Sequence, residues 1–268
     1  MTARLLATKY VEKPWGRTDL PAFFPEGGGR QIGEVWFDGP EGRHPPILVK
    51  YIFTSERLSI QVHPNDAQGR ASGLPGGKSE CWLILDAEPG AMLGMGTLRP
   101  LSGEELRATS LDGTIEGLMD WKPVQPGDFF YIPAGTVHAI GAGVTLVEVQ
   151  QNVDVTYRLY DYGRPRELHL DDGVAVSRPE PYTRPKVNIA DAQDEKLLDR
   201  DEAPFDLSLE TRSPGTAPIG SSGQSLFIPL AGHGAINGHP FEAGQCWLIE
   251  GGAMLDCAEP TRLLLADI

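Results

Sequence analysis

Short runs of apolar, β-branched and aromatic residues, each closed by glycine, proline or aspartate, recur from one end of this chain to the other. They include Ile32–Phe37, Ile47–Phe53, Lys78–Leu85, Val144–Gln150 and Leu226–Leu230. Runs this short read as strands, because a helix needs a sustained 3.6-residue period. The 32 glycines and 23 prolines are spread along the 268 residues rather than gathered into a repeat or linker. Many short elements joined by tight turns produce that distribution, so an all-β protein is expected. One stretch departs from it. Ser102-Gly103-Glu104-Glu105 has capping-box spacing before Leu106, and Thr114 is placed to cap a second short helix through Met119. This predicts a small helical patch near residues 102–120, covering one side of the β core.

Several connections are expected from local chemistry alone. Lys13–Gly16 and Pro25–Gly29 read as turns, and Ala67–Gly77 as a polar loop. Val144–Gln150 alternates as a half-buried strand does. Pro179, Pro181 and Pro185 mark residues 178–186 as a linker, and the charged segment Asp191–Glu202 reads as a surface helix or loop. A hairpin is expected within Gly232–Pro240. Two units follow: residues 1–183, carrying the helical insert, and a smaller β unit over 184–268.

A net charge of −14 argues against a general nucleic-acid or anionic-membrane surface. It leaves room for a small anionic substrate held by a few local cations. Met1–Tyr10 has no apolar signal core, and no stretch approaches 18 apolar residues, so the expected location is the cytoplasm. Three cysteines, Cys81, Cys246 and Cys257, are odd in number and lack metal-motif spacing. They are expected to be reduced and to fill the core.

The stretch with most chemistry is Leu58-Ser59-Ile60-Gln61-Val62-His63. Side chains on a strand alternate between faces. Ser59, Gln61 and His63 should therefore point one way, and Leu58, Ile60 and Val62 the other, with Pro64-Asn65-Asp66 ending the strand. An amide oxygen beside an imidazole on one face suggests half of a metal site.

An internal repeat bears on the other half. Gly127 is followed six residues later by Pro133, then by Gly135 and His138. Gly244 is followed six residues later by Glu250, then by Gly252 and Leu255. The second copy keeps the glycines and loses the proline and the histidine. The pattern Gly-x5-Pro-x-Gly-x2-His resembles the second motif of the cupin superfamily, which implies jelly-roll barrels, here two with the second degenerate. It also implies that His138 projects into its barrel and binds metal. Gln61, His63, Glu80 and His138 then form a candidate set. Such a set can hold Zn²⁺ with a position left open for water or substrate. Two histidines and one carboxylate also describe non-haem iron oxygenases, so ligand type alone leaves both metals open.

The wording of the sequence narrows this further. Leu58–Asp66, Lys78-Ser79-Glu80-Cys81-Trp82, Pro133–Ile140 and Glu148–Gly163 together resemble type I mannose-6-phosphate isomerases. The likeness extends in order from about Lys13 to Leu170, in a short form without the large helical insertion of longer members. The resemblance implies one zinc per chain at Gln61, His63, Glu80 and His138, and an active-site arginine at Arg158. It implies interconversion of mannose 6-phosphate and fructose 6-phosphate. Gly77 stands where longer members have a histidine, so a mechanism using that histidine as base would need a substitute here. Lys78, on the face of Glu80, is expected to bind a substrate oxygen or the phosphate, or to carry a proton if its pKa is depressed. Ser59, on the Gln61 face, is expected to touch substrate. Asp161 is a weaker candidate for ring opening. The competing readings are a cupin iron dioxygenase and a non-catalytic sugar-phosphate-binding cupin. Oligomeric state, the general base and the phosphate contacts are not legible.

Overall fold

The computed structural model describes residues 2–39 and 44–268. Among these residues the chain is all-β, built as layers of antiparallel sheet with a helical cover on one side. A seven-stranded sheet runs in the order Val187–Asn188, Asp128–Ile132, Glu80–Ala87, Val144–Gln151, Ile47–Phe53, Ile32–Asp38, Ala7–Arg17. A five-stranded sheet, ordered Tyr157–Tyr160, Ile60–Val62, His138–Ile140, Met92–Thr97, Met119–Pro123, closes the first barrel. Trp82, Ile84 and Leu146 from the large sheet pack there against Leu93, Met95 and Ile140 from the small one.

The seven-stranded sheet is buried on both faces. Its outer residues, among them Phe37, Val49, Tyr51, Leu83 and Val147, share one core with Leu209, Leu226 and Leu264 of a six-stranded sheet built mostly from the C-terminal part, and with Phe205 just before its strand Asp206–Arg212. This is why Val144–Gln151 is buried almost throughout rather than half-buried. The six-stranded sheet and a four-stranded one enclose a second apolar interior of Phe227, Ile236, Phe241, Ile249 and Leu255. The N-terminal strand Thr2–Leu5 joins this second assembly by pairing with Trp247–Glu250.

The helical patch lies over the outer face of the five-stranded sheet, where Leu106 and Ile115 meet Ile60, Val62 and Ala139. Helix Gly103–Asp112 is capped as expected, the Glu105 N–H donating to Ser102 Oγ at 3.0 Å. Thr114 does not cap. Gly113, at φ +82°, starts a 3-10 turn over Thr114–Leu118, and Thr114 donates its hydroxyl to Asp112 Oδ1.

Four other expectations are corrected. Lys13–Gly16, read as a turn, lies within strand Ala7–Arg17, where the register shifts between Glu12 and Arg17. The polar loop after His63 contains a helix, Asp66–Ala71, fixed by a full capping box between Asn65 and Gln68. The segment Asp191–Glu202 contains strand Glu195–Leu198, paired with Asp206–Arg212. Residues 178–186 are not a free linker: Arg178 and Pro181 bridge to Thr136 and Gly96, and Tyr182 Oη donates to the Tyr131 carbonyl at 2.6 Å. The hairpin forms as expected, with Asn237 and Gly238 both at positive φ between His233–Ile236 and His239–Glu242. All three cysteines are free and buried.

Candidate metal centre and active site

Along the inner face of the seven-stranded sheet, side chains change from apolar to charged within single strands. Ile52 is followed toward one end by Lys50, Ile84 and Trp82 by Glu80, and Leu146 by Glu148. The two-residue period carries each substitution to the same side of the sheet. Register then aligns them: Lys50 lies opposite Glu148, and Glu80 opposite Gln150. Across the barrel a second row forms on three neighbouring strands, where Gln61 pairs with both His138 and Arg158. The polar half of the interior is therefore built by two sheets facing one another.

His63, Glu80 and His138 meet at its floor, each at most 2% exposed, with their ligand-type atoms within 4.8 Å of one another. The Glu80 carboxylate stands between the rings, 3.4 Å from His63 Nε2 and 3.3 Å from His138 Nε2. These contacts are close but misaligned for hydrogen bonding: both Glu80 oxygens and both His63 nitrogens lack a hydrogen-bond partner. Four orphaned polar atoms in so small a volume need an explanation, since buried polar groups are nearly always satisfied. A cation beside His63 Nε2 and the Glu80 oxygens would account for three of them, Oε2 already facing the Lys78 ammonium at 3.1 Å; His63 Nδ1 would still lack a partner. His138 is prepared for that role, because its Nδ1 lies 2.9 Å from the Thr136 carbonyl, which fixes the proton there and leaves the Nε2 lone pair facing Glu80.

Electrostatics agree with a ligand set in its metal-binding protonation state. Burial, aided by the nearby Lys78 charge, lowers His63 to about 3, and burial lowers His138 as well. Both rings are neutral at neutral pH. Burial alone would raise Glu80, but Lys78 and the histidines outweigh it and hold the carboxyl well below its usual range. Lys78 Nζ sits 3.1 Å from Glu80 Oε2. Burial works against the Lys78 charge, yet Glu80, Glu148 and Glu34 raise its pKa on balance. The surrounding carboxylates thus favour the charged form of Lys78.

Gln61 lies beside the cluster with its amide turned otherwise than a ligand's would be. Its Nε2 is 3.3 Å from His138 Nε2, while Oε1 accepts from Ser59 Oγ at 3.1 Å. A half-turn of the amide exchanges the two atoms. Leu58 departs from strict alternation: it precedes the strand proper and reaches the barrel interior rather than joining Ile60 and Val62 beneath the helices.

Next to the cluster, separated from it by Gln61 and Lys78, lies a cavity of about 90 Å³ bordered by Ser59, Gln61, Lys78 and Arg158, four of the residues singled out from the sequence. Arg158 is held by its Nε, which donates to the Glu167 carbonyl at 2.9 Å. Asp161 is elsewhere. It is buried in a two-pronged pair with Arg166, at 2.6 and 2.7 Å, and does not border the cavity.

Sequence reasoning missed Lys13, Glu34, Lys50, Glu148 and Arg166, all on the cavity wall. Glu148 Oε1 is 3.3 Å from Lys50 Nζ, and its Oε2 accepts from Trp82 Nε1 at 3.0 Å. Burial and the Glu80 charge raise Glu148, whereas Lys50 and Lys13 outweigh burial and lower Glu34. The available signal was a charged residue at an inward position of an otherwise apolar run, as in Ile47–Phe53.

No family model matches the chain. Mannose-6-phosphate isomerase ManA of Bacillus subtilis is 40% identical over 189 residues, covering 64% of this chain and 59% of that protein. Mannose-6-phosphate isomerase of Streptococcus mutans is 34% identical over 201 residues, 71% of this chain and 62% of that protein. The aligned part is thus about three fifths of the length of these relatives. The crystal structure of the mannose 6-phosphate isomerase from Bacillus subtilis superposes with a TM-score of 0.78 at 26% identity, covering both chains fully. A zinc-bound mannose 6-phosphate isomerase structure superposes with a TM-score of 0.74 at 15% identity, over 100% of this chain and 99% of that one, which speaks for the fold. The resemblance drawn from Leu58–Asp66 and its companions is borne out.

Proposed function

We propose that this chain, similar in sequence and fold to mannose-6-phosphate isomerases, is a zinc-dependent aldose–ketose isomerase. It interconverts mannose 6-phosphate and fructose 6-phosphate through a cis-enediol. The observation that carries the proposal is the buried His63–Glu80–His138 cluster, with His63 and Glu80 atoms lacking hydrogen bonds, reached from a neighbouring cavity through Gln61 and Lys78, which line that cavity together with Arg158.

His63, Glu80 and His138, with Gln61 after its amide turns, would hold one zinc ion per chain. When bound, that ion supplies positive charge beside the sugar oxygens and lowers the cost of the enediolate. The remaining steps belong to side chains. The Arg158 guanidinium, anchored only at Nε, donates toward the oxyanion that develops as the carbonyl moves between C1 and C2. Lys78 stays charged and binds a sugar oxygen. Ser59 orients Gln61 and borders the substrate. Glu148, the cavity carboxylate whose proton affinity is raised rather than lowered, moves the proton between the two carbons. Residues 1–183 carry this chemistry, and residues 184–268 support it. Reduced, buried cysteines favour a cytoplasmic setting. Among the described residues no helix is long and apolar enough to cross a membrane.

The deciding experiment is a coupled assay on mannose 6-phosphate with metal analysis of the same sample. Turnover that follows zinc content is expected. Fully zinc-loaded protein without turnover would overturn the proposal. Arg158→Ala should keep zinc and lose about 10²–10³ in kcat, the usual scale for removing an oxyanion donor. Near-wild-type kcat would remove Arg158 from the mechanism.

A further inference from the structure

Strand Tyr157–Tyr160, which carries Arg158, stands at the edge of the five-stranded sheet. On an edge strand, alternate residues turn their N–H and C=O away from the neighbouring strand and leave them to be paired by something else. Arg158 lies opposite Gln61 there, and the register slips between Arg158 and Tyr160. An edge residue next to such an irregularity needs an outside hold if its guanidinium is to stay in one place. The chain supplies that hold when it returns at residues 167–169.

The returning segment makes its hydrogen bonds to that single residue. The His169 N–H donates to the Arg158 carbonyl at 2.8 Å, and the Arg158 N–H donates to His169 Nδ1 at 3.2 Å. The Glu167 carbonyl accepts from Arg158 Nε at 2.9 Å. His169 thus offers from its backbone the donor, and from its ring the acceptor, that a further strand would have offered. A ring nitrogen accepts only when it carries no proton, so this contact requires the tautomer protonated at Nε2.

The helix that follows makes no competing use of the ring. His169 directly precedes helix Leu170–Val176, where a polar side chain ordinarily accepts from the first turn, yet its ring makes no such bond. The helix is seated on the strand that carries Arg158. A Cβ at Gly173 would lie 2.8 Å from Leu159 Cδ2, and the Gly173 N–H donates to the His169 carbonyl at 2.7 Å. Tyr157 flanks the imidazole, with ring centroids 6.3 Å apart. Ring, helix and strand therefore hold one another in register at Arg158.

We infer that His169 is the positioning residue of Arg158: its Nδ1 pins the Arg158 backbone, so that the guanidinium meets the developing oxyanion in one fixed place. This rests on the isomerase reading and deepens it. A donor lowers the barrier only where it already points at the charge that forms, and a misplacement of about 1 Å can cost about 10² in rate. His169 does not border the cavity, so it acts through Arg158 and not on the sugar.

The test compares three replacements in the zinc-loaded full chain, by kinetics on mannose 6-phosphate and by hydrogen exchange at Arg158 Nε, followed by NMR. His169→Phe keeps a ring against Tyr157 and removes the acceptor. Its kcat should fall about tenfold with KM within about threefold, and exchange at Arg158 Nε should quicken about tenfold. His169→Asn puts an amide oxygen where Nδ1 stood and should bring kcat back to within about threefold of wild type. His169→Gln, whose oxygen lies one bond farther out, should not. In an Arg158→Ala background, His169→Phe should lower kcat by less than about twofold more, because the group it positions is gone. Zinc content and melting temperature show whether each variant folds, and if Phe does not, the contrast between Asn and Gln decides. Unchanged kcat and exchange in His169→Phe would overturn the inference. So would an equal loss of kcat with and without Arg158, or an Asn variant no better than Gln. If wild type isomerises nothing, yet Phe quickens exchange at Arg158 Nε and Asn does not, the inference about His169 stands and the isomerase proposal falls.

Discussion

The two barrels use the same turn and put opposite interiors behind it. Gly127 and Gly135 stand at φ +85° and +87°, and their counterparts Gly244 and Gly252 at +84° and +81°. The backbone device is preserved to within a few degrees. Behind the first turn lie His138, Glu80 and His63; behind the second lie Leu255, Ile249 and Phe241. Glycine turns and alternation therefore carry the fold, while the chemistry depends on which side chains occupy the inward positions. The polar interior is costly, because charges taken from water must be matched. The layer between the barrels offsets that cost. Each fully buried Leu, Ile or Phe there, such as Phe205 or Leu209, stabilises by about 1.5–3 kcal/mol.

The most severe way to erase the difference is Glu80→Ala. It removes the group that both imidazoles face and leaves the Lys78 ammonium buried without its nearest carboxylate. We expect zinc to be lost on dialysis and kcat/KM to fall by about 10³ or more. The metal-free protein should also be destabilised by roughly 3–5 kcal/mol, the cost of an unpaired buried charge. Zinc analysis, turnover and denaturant melts check the three effects. A zinc-loaded variant with ordinary turnover would show that the first barrel does not owe its activity to this cluster.

Acid should act on the first barrel more than on the second. His63 has an ordinary pKa of 6.5 and is held at about 3 in the fold. Between those values the unfolded chain binds a proton that the folded one refuses, so folding weakens as pH falls through the window. The contribution is present above pH 6.5 and has been lost once pH reaches about 3. His138 and Glu80, both lowered, act in the same direction. Metal-free protein should therefore melt at lower temperature at pH 4.5 than at pH 7, and His63→Leu should narrow the gap. An equal gap in that variant would break the link to this imidazole.

Much of this contrast is legible in the sequence, and the part that is not has definite causes. Alternation located Gln61 and His63 on one face, and glycine spacing located His138, because both are properties of a single segment. Lys50, Glu148 and Arg166 were invisible for a different reason. Each acquires its place from register between strands distant in sequence, or from a turn whose closure depends on Asp161. Alternation suggested a half-buried Val144–Gln150. The second barrel covers its other face, and nothing in that segment announces the cover. Thr114 does not cap because Gly113, not a side chain, starts the turn that follows.

Restoring a histidine to the emptied repeat sharpens the comparison from the other side. Leu255 is 1% exposed among Phe227, Ile236 and Ile249, with no carboxylate in that apolar cluster. Leu255→His should cost about 2–3 kcal/mol through lost packing and an unsatisfied imidazole. Bound zinc should stay at the wild-type amount. A second zinc would mean that the lower barrel retains more of a site than its side chains indicate.

The smallest effect separates turn from site. Alanine at Gly252 or Gly135 must adopt a positive φ, a cost of about 1 kcal/mol for an L-residue. A methyl group at Gly252 meets nothing closer than 3.6 Å, so stability should fall by only that amount and zinc binding should not move. At Gly135 the same methyl lies 2.9 Å from Arg178 Nε and 3.2 Å from the Val176 carbonyl. The Gly135 N–H also donates to the His63 carbonyl at 2.8 Å, which ties this turn to a ligand. Gly135→Ala should cost about 1 kcal/mol more than its counterpart and should weaken zinc binding measurably in a chelator competition. If the two alanines prove equal in both stability and zinc affinity, the turn is only a turn, and the site is held by its strands.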